Sequence, residues 1–254
     1  MSQPAPGTVT LDVAHGVGTI TFSHPKGNSL PGALLRELAA CFDDAGARSD
    51  VAVVVLRSGG DGPFCAGASF DELRSIETAE QGTEFFSGFA HVLLAMRRCP
   101  RFVIARVQGK VAGGGVGLVA ASEYAIATDA AAVRLSELAV GIGPFVVGPA
   151  IEHRIGRGPY AALAVDFEWR DAAWGERCGL YARLTAARAL DSDVDALARR
   201  LAAANPVAMA EMKRVFWEGT DHWSTLLLER AAISGRLVLS DHTRRAIAAF
   251  AARG

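Results

Sequence analysis

The chain has 254 residues, a formal net charge of -1 and a hydrophobic content of 50%. This length can bury a large core as one or two domains, and the balance of apolar and charged residues leaves little room for extended disorder. The small net charge provides no field for gathering nucleic acid or an anionic membrane. The sequence therefore predicts a globular protein that binds neither.

The cysteines and histidines of the chain carry no motif. Four cysteines lie far apart without a CxxC pair, and six histidines form no HxxxH or HxH pair. We therefore expect no disulfide framework, no metal site and a reducing cytoplasmic environment. The N-terminal MSQPAPG lacks the segments of a signal peptide, and no run of 18 or more residues is apolar enough for a membrane span. These patterns predict a soluble, cytoplasmic protein.

The first predicted elements are a β-hairpin, a helix and a strand. Residues 9–13 and 18–22 alternate apolar and polar side chains about a His-Gly pair. Apolar residues at helical spacing predict an amphipathic helix over residues 34–45. The apolar, β-branched residues 51–57 then predict a strand that is covered on both faces.

The same alternation continues along the chain. We predict a helix over residues 79–98, a buried strand over residues 102–107 and short strands over residues 124–128 and 132–135. The remaining pattern is helical, with one strand over residues 180–184. Alternating strands and helices followed by helices favour a layered α/β fold with a helical C-terminal part.

We place the boundary between these parts near residue 190. Residues 1–190 are the predicted α/β core, and residues 191–254 are a helical region for oligomerisation. Apolar residues from Trp223 to Leu239 form a long face in this region. Such a face serves either the internal core or a subunit contact, and the sequence leaves both interpretations open.

Two small-residue junctions between a strand and a helix are the main indication of chemistry. One spans residues 64–70 and the other residues 112–117. Small residues there let a ligand approach the main chain, and a helix start leaves N–H groups without internal partners. Two such donors converging on one oxygen would form an oxyanion hole. The sequence therefore predicts enzyme chemistry on a carbonyl.

The second junction has two alternative interpretations. Residues 115–120 fit the dinucleotide fingerprint GxGxxA, and Glu137 could stand in for its ribose-binding acid. However, only six residues separate Gly117 from the strand at Tyr124, whereas a parallel crossover usually needs ten or more. The other alternative is that the glycines only allow close helix packing.

Glu137 is the leading acid/base candidate. It lies between apolar stretches at the end of a short strand, and such surroundings raise a carboxyl pKa toward the range of a general base. The alternative is that Ser136 and Glu137 cap a helix. Cys65 has no histidine nearby in sequence, and we interpret it as a small apolar filler rather than a nucleophile.

Together these features resemble the crotonase family, also called enoyl-CoA hydratase/isomerase. The matching segments are residues 24–30, 64–68, 108–115, 136–142, 205–206 and 248–250. Their order and spacing agree over almost the whole chain. The resemblance implies a crotonase-like spiral of ββα units, with a helical C-terminal region that forms trimers, often paired into hexamers. It also implies acyl-CoA substrates and no metal or redox cofactor, with coenzyme A entering only as part of the substrate.

Several residue roles follow from the resemblance. The N–H groups of Ala68 and Gly114 would form the oxyanion hole for the thioester oxygen, and the carbonyl of Ala66 would receive the adenine amino group. Lys26 would lie near the nucleotide part of coenzyme A. The remaining predicted contacts are Ser69, Phe70, Gly113 and Phe145.

This chain departs from the family pattern at catalytically important positions. The family loop usually reads Ala-Gly-Ala-Asp, whereas here Ser69 replaces the acid. Family hydratases carry two catalytic glutamates, of which one matches Glu137 and the other matches Gly117. Glu123 lies six residues beyond Gly117 and aligns with a different, structural acid.

A single retained glutamate favours double-bond isomerisation, which needs one group to remove and return a proton. Hydration, decarboxylation or hydrolysis of a CoA thioester, and non-catalytic acyl-CoA binding are the alternatives. Phe145, Val146 and Val147 also replace the small, glycine-rich stretch usual there. They either reshape an acyl pocket or repack a core turn.

Overall fold

The computed structural model describes residues 7–251, without the side chains of Phe250 and Ala251. Two predictions therefore lie wholly or partly outside the described residues: the absence of a signal segment at the N-terminus and the Phe250 side chain of the closing motif. Within residues 7–251, no helix has both the length and the apolar composition needed to cross a bilayer.

A six-stranded sheet lies at the centre of the described residues. The strands of the chain are β1 (Thr8–Ala14), β2 (Val17–Ser23), β3 (Val53–Ser58), β4 (Phe102–Val107), β5 (Val111–Ala112), β6 (Tyr124–Thr128), β7 (Val133–Arg134) and β8 (Arg183–Thr185). The main sheet has the order β1-β2-β3-β4-β6-β8. Only β1 is antiparallel to its neighbour, and β5 pairs with β7 in a separate parallel sheet.

The predicted hairpin is confirmed. Positive φ angles of 53° at His15 and 78° at Gly16 match the two-residue turn that the twist of paired strands favours. The last strand begins later than predicted, at Arg183 instead of residue 180. The reason is a turn, in which the N–H groups of Leu180 and Tyr181 both donate to the carbonyl of Gly175.

Helices cover the sheet and form the C-terminal part. They are α1 (Gly32–Ala47), α2 (Phe70–Ser75), α3 (Ala79–Arg98), α4 (Gly114–Ala120), α5 (Gly148–Ile155), α6 (Arg157–Asp166), α7 (Ala172–Arg177), α8 (Leu190–Ala202), α9 (Pro206–Phe216), α10 (Trp223–Leu237) and α11 (Asp241–Ala251). Thr78 and Gln81 begin α3 with a reciprocal capping box. The predicted helices over residues 34–45 and 79–98 are confirmed.

The two faces of the sheet pack into different cores. Val54 and Leu56 of β3 belong to the large core with α1 and α3. Val53 and Val55 belong to a smaller core that α8 and α9 cover. Because alternate side chains of a strand face opposite sides, cover on both faces explains the continuous apolar pattern of β3.

The long apolar face near the C-terminus packs largely inside the protein. Trp223, Leu227 and Ala231 are buried in the large core, where α10 lies against α3. The two helices approach so closely that a Cβ on Gly82 would lie 2.7 Å from the Cα of Gly235. Internal packing therefore accounts for this part of the face. The division of the chain near residue 190 stays a prediction.

Glu123 lies in a buried polar network. Its carboxylate accepts hydrogen bonds from the N–H of Val103 at 2.7 Å, Nε1 of Trp217 at 2.9 Å and Nζ of Lys213 at 3.1 Å. The side chains of Lys213 and Glu123 are only 3% and 8% exposed. A buried ion pair with this many hydrogen bonds ties β4 and β6 to α9. This agrees with the structural role implied for Glu123.

Candidate active site

The two small-residue junctions lie side by side because their backbones pair. The N–H of Ala112 donates to the carbonyl of Cys65 at 2.8 Å. Gly67 of the first junction faces the second junction. Its φ is +92°, and a Cβ there would lie 3.3 Å from the carbonyl oxygen of Ala112 and 3.7 Å from the Cα of Gly113. Glycine therefore meets two demands at position 67, the positive φ and the close approach of the neighbouring loop.

Ala68 presents its N–H away from the segment it pairs with. Its parallel bridge to Leu30 uses the carbonyl of Gly67, which accepts from Leu30 at 2.8 Å, and the N–H of Ser69, which donates to Leu30 at 3.2 Å. In a parallel bridge of this kind the central residue's own groups face the other side. The N–H of Ala68 donates to no other group of residues 7–251.

Gly114 supplies a second unpartnered amide. It is the first residue of α4, so its N–H has no acceptor inside the helix. The preceding N–H, of Gly113, is already bonded to the carbonyl of Arg134 at 3.0 Å. Across the described part of the chain, the N–H of Gly114 likewise makes no hydrogen bond.

One cavity brings these amides together with Glu137. The volume inside this cavity that is accessible to a water-sized sphere is about 60 Å³. The walls are mostly apolar and come from both loops, from α3, from the segment before α5 and from α10. The lining residues include Ala66, Ala68, Phe70, Phe86, Phe89, Gly113, Gly114, Glu137, Phe145, Val147 and Ser234.

Glu137 holds an enclosed carboxyl group at the edge of this cavity. Its Oε2 is buried and has no hydrogen-bond partner among the described residues, although the residue as a whole is half-buried. Burial raises the pKa of Glu137 from 4.5 to about 7, partly opposed by hydrogen bonds from the N–H groups of Glu137 and Ser136. The side chain does not cap the following 3-10 turn, so the capping alternative is wrong.

Gly113 makes room for that carboxyl group. A Cβ at this position would lie 3.2 Å from Oε1 of Glu137, and the φ of +51° is in the region that favours glycine. Glycine at position 113 therefore allows the acid and the amide of Gly114 to share one cavity.

Positions 115 and 117 require glycine because neighbouring side chains occupy the space that a Cβ would need. A Cβ on Gly115 would lie 2.6 Å from the Cβ of Cys65, and one on Gly117 would lie 2.7 Å from Cγ1 of Val147. These contacts support the close-packing interpretation over the dinucleotide fingerprint. Burial also raises the pKa of the Cys65 thiol to about 12, which fits an apolar filler and not a nucleophile.

The predicted binding residues divide into two groups. Ala66, Phe70, Gly113 and Phe145 line the cavity. Lys26 and Ser69 do not. Nζ of Lys26 is 2.5 Å from Oδ2 of Asp71, and both side chains are more than half exposed. Oγ of Ser69 accepts a hydrogen bond from the N–H of Glu72 and caps α2.

Sequence reasoning missed several cavity residues, among them Phe86, Phe89 and Ser234. The two phenylalanines follow the apolar period of α3, which is equally typical of a core helix. Ser234 lies among small residues of α10 that read as a packing stripe. Nothing local distinguishes these positions, since only the meeting of α3 and α10 brings them to the cavity.

The fold and the site define an α/β protein with backbone amides and a buried carboxyl group at one cavity, an arrangement typical of enzymes. Residues 12–253 match the model of the family described as Enoyl-CoA hydratase/isomerase, and the chain belongs to this family. The resemblance to crotonases is thereby confirmed.

Individual relatives and solved structures carry names from the same family. A "probable enoyl-CoA hydratase" of Rhizobium meliloti is 30% identical over 212 residues, which cover 82% of this chain and 80% of that protein. The crystal structure of an enoyl-CoA hydratase from Mycobacterium avium is 26% identical, covers 96% of each chain and superimposes with a TM-score of 0.85. An enoyl-CoA hydratase from Bacillus halodurans, only 18% identical, shares the fold with a TM-score of 0.87 over 95% of this chain and 99% of its own.

The raised pKa of Glu137 predicts a pH-dependent stability. In the unfolded chain this carboxyl group loses its proton near pH 4.5, whereas in the folded protein it keeps the proton up to about pH 7. The folded state therefore binds more protons between these values, and its stability falls as the pH rises through this window. At about 1.4 kcal/mol per pKa unit, the loss above pH 7 is about 3 kcal/mol.

Glu137→Gln should remove this loss. Denaturant unfolding at pH 8 should show the variant about 3 kcal/mol more stable than the wild type, with a difference below about 1 kcal/mol at pH 5. The control is Glu229→Gln, at an exposed position of α10. Equal effects of Glu137→Gln at the two pH values would contradict the assigned pKa.

Proposed function

We propose that this family member is an acyl-CoA isomerase, which moves a double bond through a thioester dienolate with Glu137 as the single acid/base. The observation that carries the proposal is the pairing of Gly117 with Val147. Val147 fills the space where a side chain on residue 117 would begin. Of the residues that line the cavity, only Glu137 is titratable. One carboxylate suits a proton shuttle, whereas hydration is best served by two.

The proposed oxyanion hole consists of the N–H groups of Ala68 and Gly114. Neither N–H group donates to an acceptor within residues 7–251, and both residues line the cavity. A thioester oxygen that accepts from both would gain negative charge as the dienolate forms, and each donor would then bind it more strongly. Preformed donors of this type contribute on the order of 3 kcal/mol each to the stabilisation of the transition state.

Glu137 would remove the proton next to the thioester carbonyl and return it two carbons further along the acyl chain. A base with a pKa of about 7 is half ionised near neutral pH, so it can both accept and donate the proton. The apolar walls keep the carboxyl group enclosed and thereby maintain this pKa. Proton transfer alone requires neither a metal ion nor a redox cofactor.

The proposed contacts of coenzyme A lie around the first loop. The carbonyl of Ala66 would accept from the adenine amino group, and Phe70, Gly113 and Phe145 would contact the acyl or pantetheine part. Lys26 would reach the nucleotide phosphates by leaving Asp71, and this exchange costs little because an exposed ion pair contributes only about 0–1 kcal/mol. Ser69 would act indirectly, through the start of α2.

The reaction can be tested with purified protein on trans-3-enoyl-CoA and trans-2-enoyl-CoA. We expect isomerisation of the 3-enoyl substrate with kcat/KM rising with pH to a plateau above about 7, because the free enzyme must hold Glu137 ionised. Glu137→Gln should lose at least about 100-fold in kcat, the usual contribution of an acid/base group. The relatives are named hydratases, so hydration of the 2-enoyl substrate is measured in parallel.

Hydration without isomerisation would refute the proposed reaction but not the site. Full isomerase activity in Glu137→Gln would refute the role of that residue. Glu229→Gln serves again as the control, and its activity should equal that of the wild type.

The Gly117–Val147 contact yields a second test. Gly117→Glu alone should fail to gain hydratase activity and should lower stability by about 1–3 kcal/mol, because the new Cβ would overlap Val147. Gly117→Glu/Val147→Gly opens this space and should acquire hydration of trans-2-enoyl-CoA above the wild-type level. Thermal unfolding and the hydration assay check both effects. Equal stability and activity in the single and double variants would contradict the steric argument.

We also propose that the protein forms trimers, which can pair into hexamers. The family resemblance implies this assembly, and α9 exposes apolar side chains that suit a subunit contact: Val207, Met212, Val215 and Phe216. Sedimentation velocity should give a mass about three or six times that of the 26.6 kDa chain. Met212→Asp/Val215→Asp should dissociate the assembly, and a monomeric wild-type protein would contradict the proposal.

A further inference from the structure

The turn that carries Glu137 has a single hydrogen bond to a distant part of the chain. This turn, residues 137–142, closes on itself, because the N–H of Ile142 donates to the carbonyl of Glu137 at 2.9 Å. Among the described residues, the main chain of the turn bonds to only one other segment. In that bond, the hydroxyl of Thr243 in α11 donates to the carbonyl of Gly141 at 3.0 Å. The position of the turn therefore depends on a side chain of the last helix.

The hydroxyl of Thr243 is held in place by Ser240 at the start of α11. Oγ of Ser240 donates to Oγ1 of Thr243 at 2.9 Å and accepts from the N–H of Thr243 at 3.3 Å. Thr243 is fully buried, and a β-branched side chain has few χ1 rotamers. Its hydroxyl is thus ordered before any ligand arrives, with its proton directed to the turn.

Helix α11 approaches the turn closely and also reaches the first amide loop. The φ of Gly141 is +81°, and a Cβ there would lie 2.5 Å from Oγ1 of Thr243 and 3.2 Å from its Cα. The same helix packs against α2, which follows the loop of Ala68. Ile247 of α11 and Leu73 of α2 belong to one buried core. One helix therefore contacts both the turn of the acid and the helix that follows an oxyanion donor.

We propose that Thr243 is a positioning residue, which holds Glu137 at a fixed place relative to the N–H of Ala68. This inference rests on the proposed function, in that Glu137 transfers a proton of a thioester whose oxygen is bound at Ala68 and Gly114. Thr243 does not line the cavity and touches no reacting atom. It acts through the carbonyl of Gly141, and a misplacement of about 1 Å at a reacting group can cost about 100-fold in rate.

Thr243→Val tests this role, because valine keeps the shape of the side chain and removes the hydroxyl. On the enoyl-CoA substrate that the wild type converts, kcat should fall at least about tenfold while KM stays within about twofold. The reason is that the lost contact serves the transition state rather than the binding of coenzyme A. Thr243→Ser restores the hydroxyl and should retain at least about half of the wild-type kcat.

Amide hydrogen exchange measures the same contact without turnover. In Thr243→Val, the amides of residues 138–142 should exchange at least about fivefold faster than in the wild type, because local opening no longer breaks the bond to α11. In Thr243→Ser their exchange should stay within about twofold of the wild type. Mass spectrometry of peptides that cover this turn gives both rates.

Thr128→Val is the matched control. Thr128 is 1% exposed, its Oγ1 donates to the carbonyl of Gln108 at 2.8 Å, and it does not line the cavity. This variant loses a hydrogen bond of the same kind and should lose a similar amount of thermal stability. Its kcat and the exchange of residues 138–142 should equal those of the wild type.

Thermal unfolding verifies that each variant is folded. If Thr243→Val does not fold, Ser240→Ala decides by the same two measurements. It frees the hydroxyl of Thr243 without removing it, and kcat should fall about threefold with faster exchange of residues 138–142.

Unchanged kcat or unchanged exchange in Thr243→Val, or an equal loss of kcat in Thr128→Val, would overturn the role of Thr243. The proposed function stands in each of these cases, since the wild type still converts its substrate. If the wild type converts neither trans-3-enoyl-CoA nor trans-2-enoyl-CoA, the proposed function fails. The positioning role then fails with it, whatever the exchange rates.

Discussion

The candidate site depends on a ladder of backbone hydrogen bonds between four segments that are distant in sequence. Leu30 donates to Gly67, Ala112 donates to Cys65, and Gly113 donates to Arg134. Each bond holds one segment next to the following one, so main-chain hydrogen bonds fix the separation of the two amide loops. Peptide groups of this kind are already ordered before a ligand arrives, which is the condition for effective stabilisation of a developing charge.

The glycines of the site serve this ladder. Gly67 and Gly113 have positive φ angles, and a Cβ on Gly67 would lie only 3.3 Å from the carbonyl oxygen of Ala112 in the neighbouring loop. The position of the Glu137 carboxyl group also favours glycine at position 113, because a Cβ there would lie only 3.2 Å from Oε1 of Glu137. The enclosure that results withdraws the carboxyl group from water and produces its raised pKa.

Local sequence patterns predicted most of the fold and the parts of the site that belong to single segments. The hairpin, the buried strands, the two amide loops and the unusual surroundings of Glu137 could all be read from neighbouring residues. The predicted start of β8 was wrong, because a turn formed by hydrogen bonds to the carbonyl of Gly175 replaces the first residues of the predicted strand. The contact between Gly117 and Val147 and the position of Ser234 could not be predicted, since they arise where segments separated by tens of residues meet, and periodicity carries no information on such contacts.

The near contact of Gly82 with Gly235 has a mechanical consequence for the cavity. It sets the spacing of α3, which carries the cavity residues Phe86 and Phe89, and α10, which carries the cavity residue Ser234. The width of the cavity therefore depends on a helix crossing whose central glycines, Gly82 and Gly235, do not line it. A methyl group at either glycine would push the two helices apart and so widen the cavity from outside its lining.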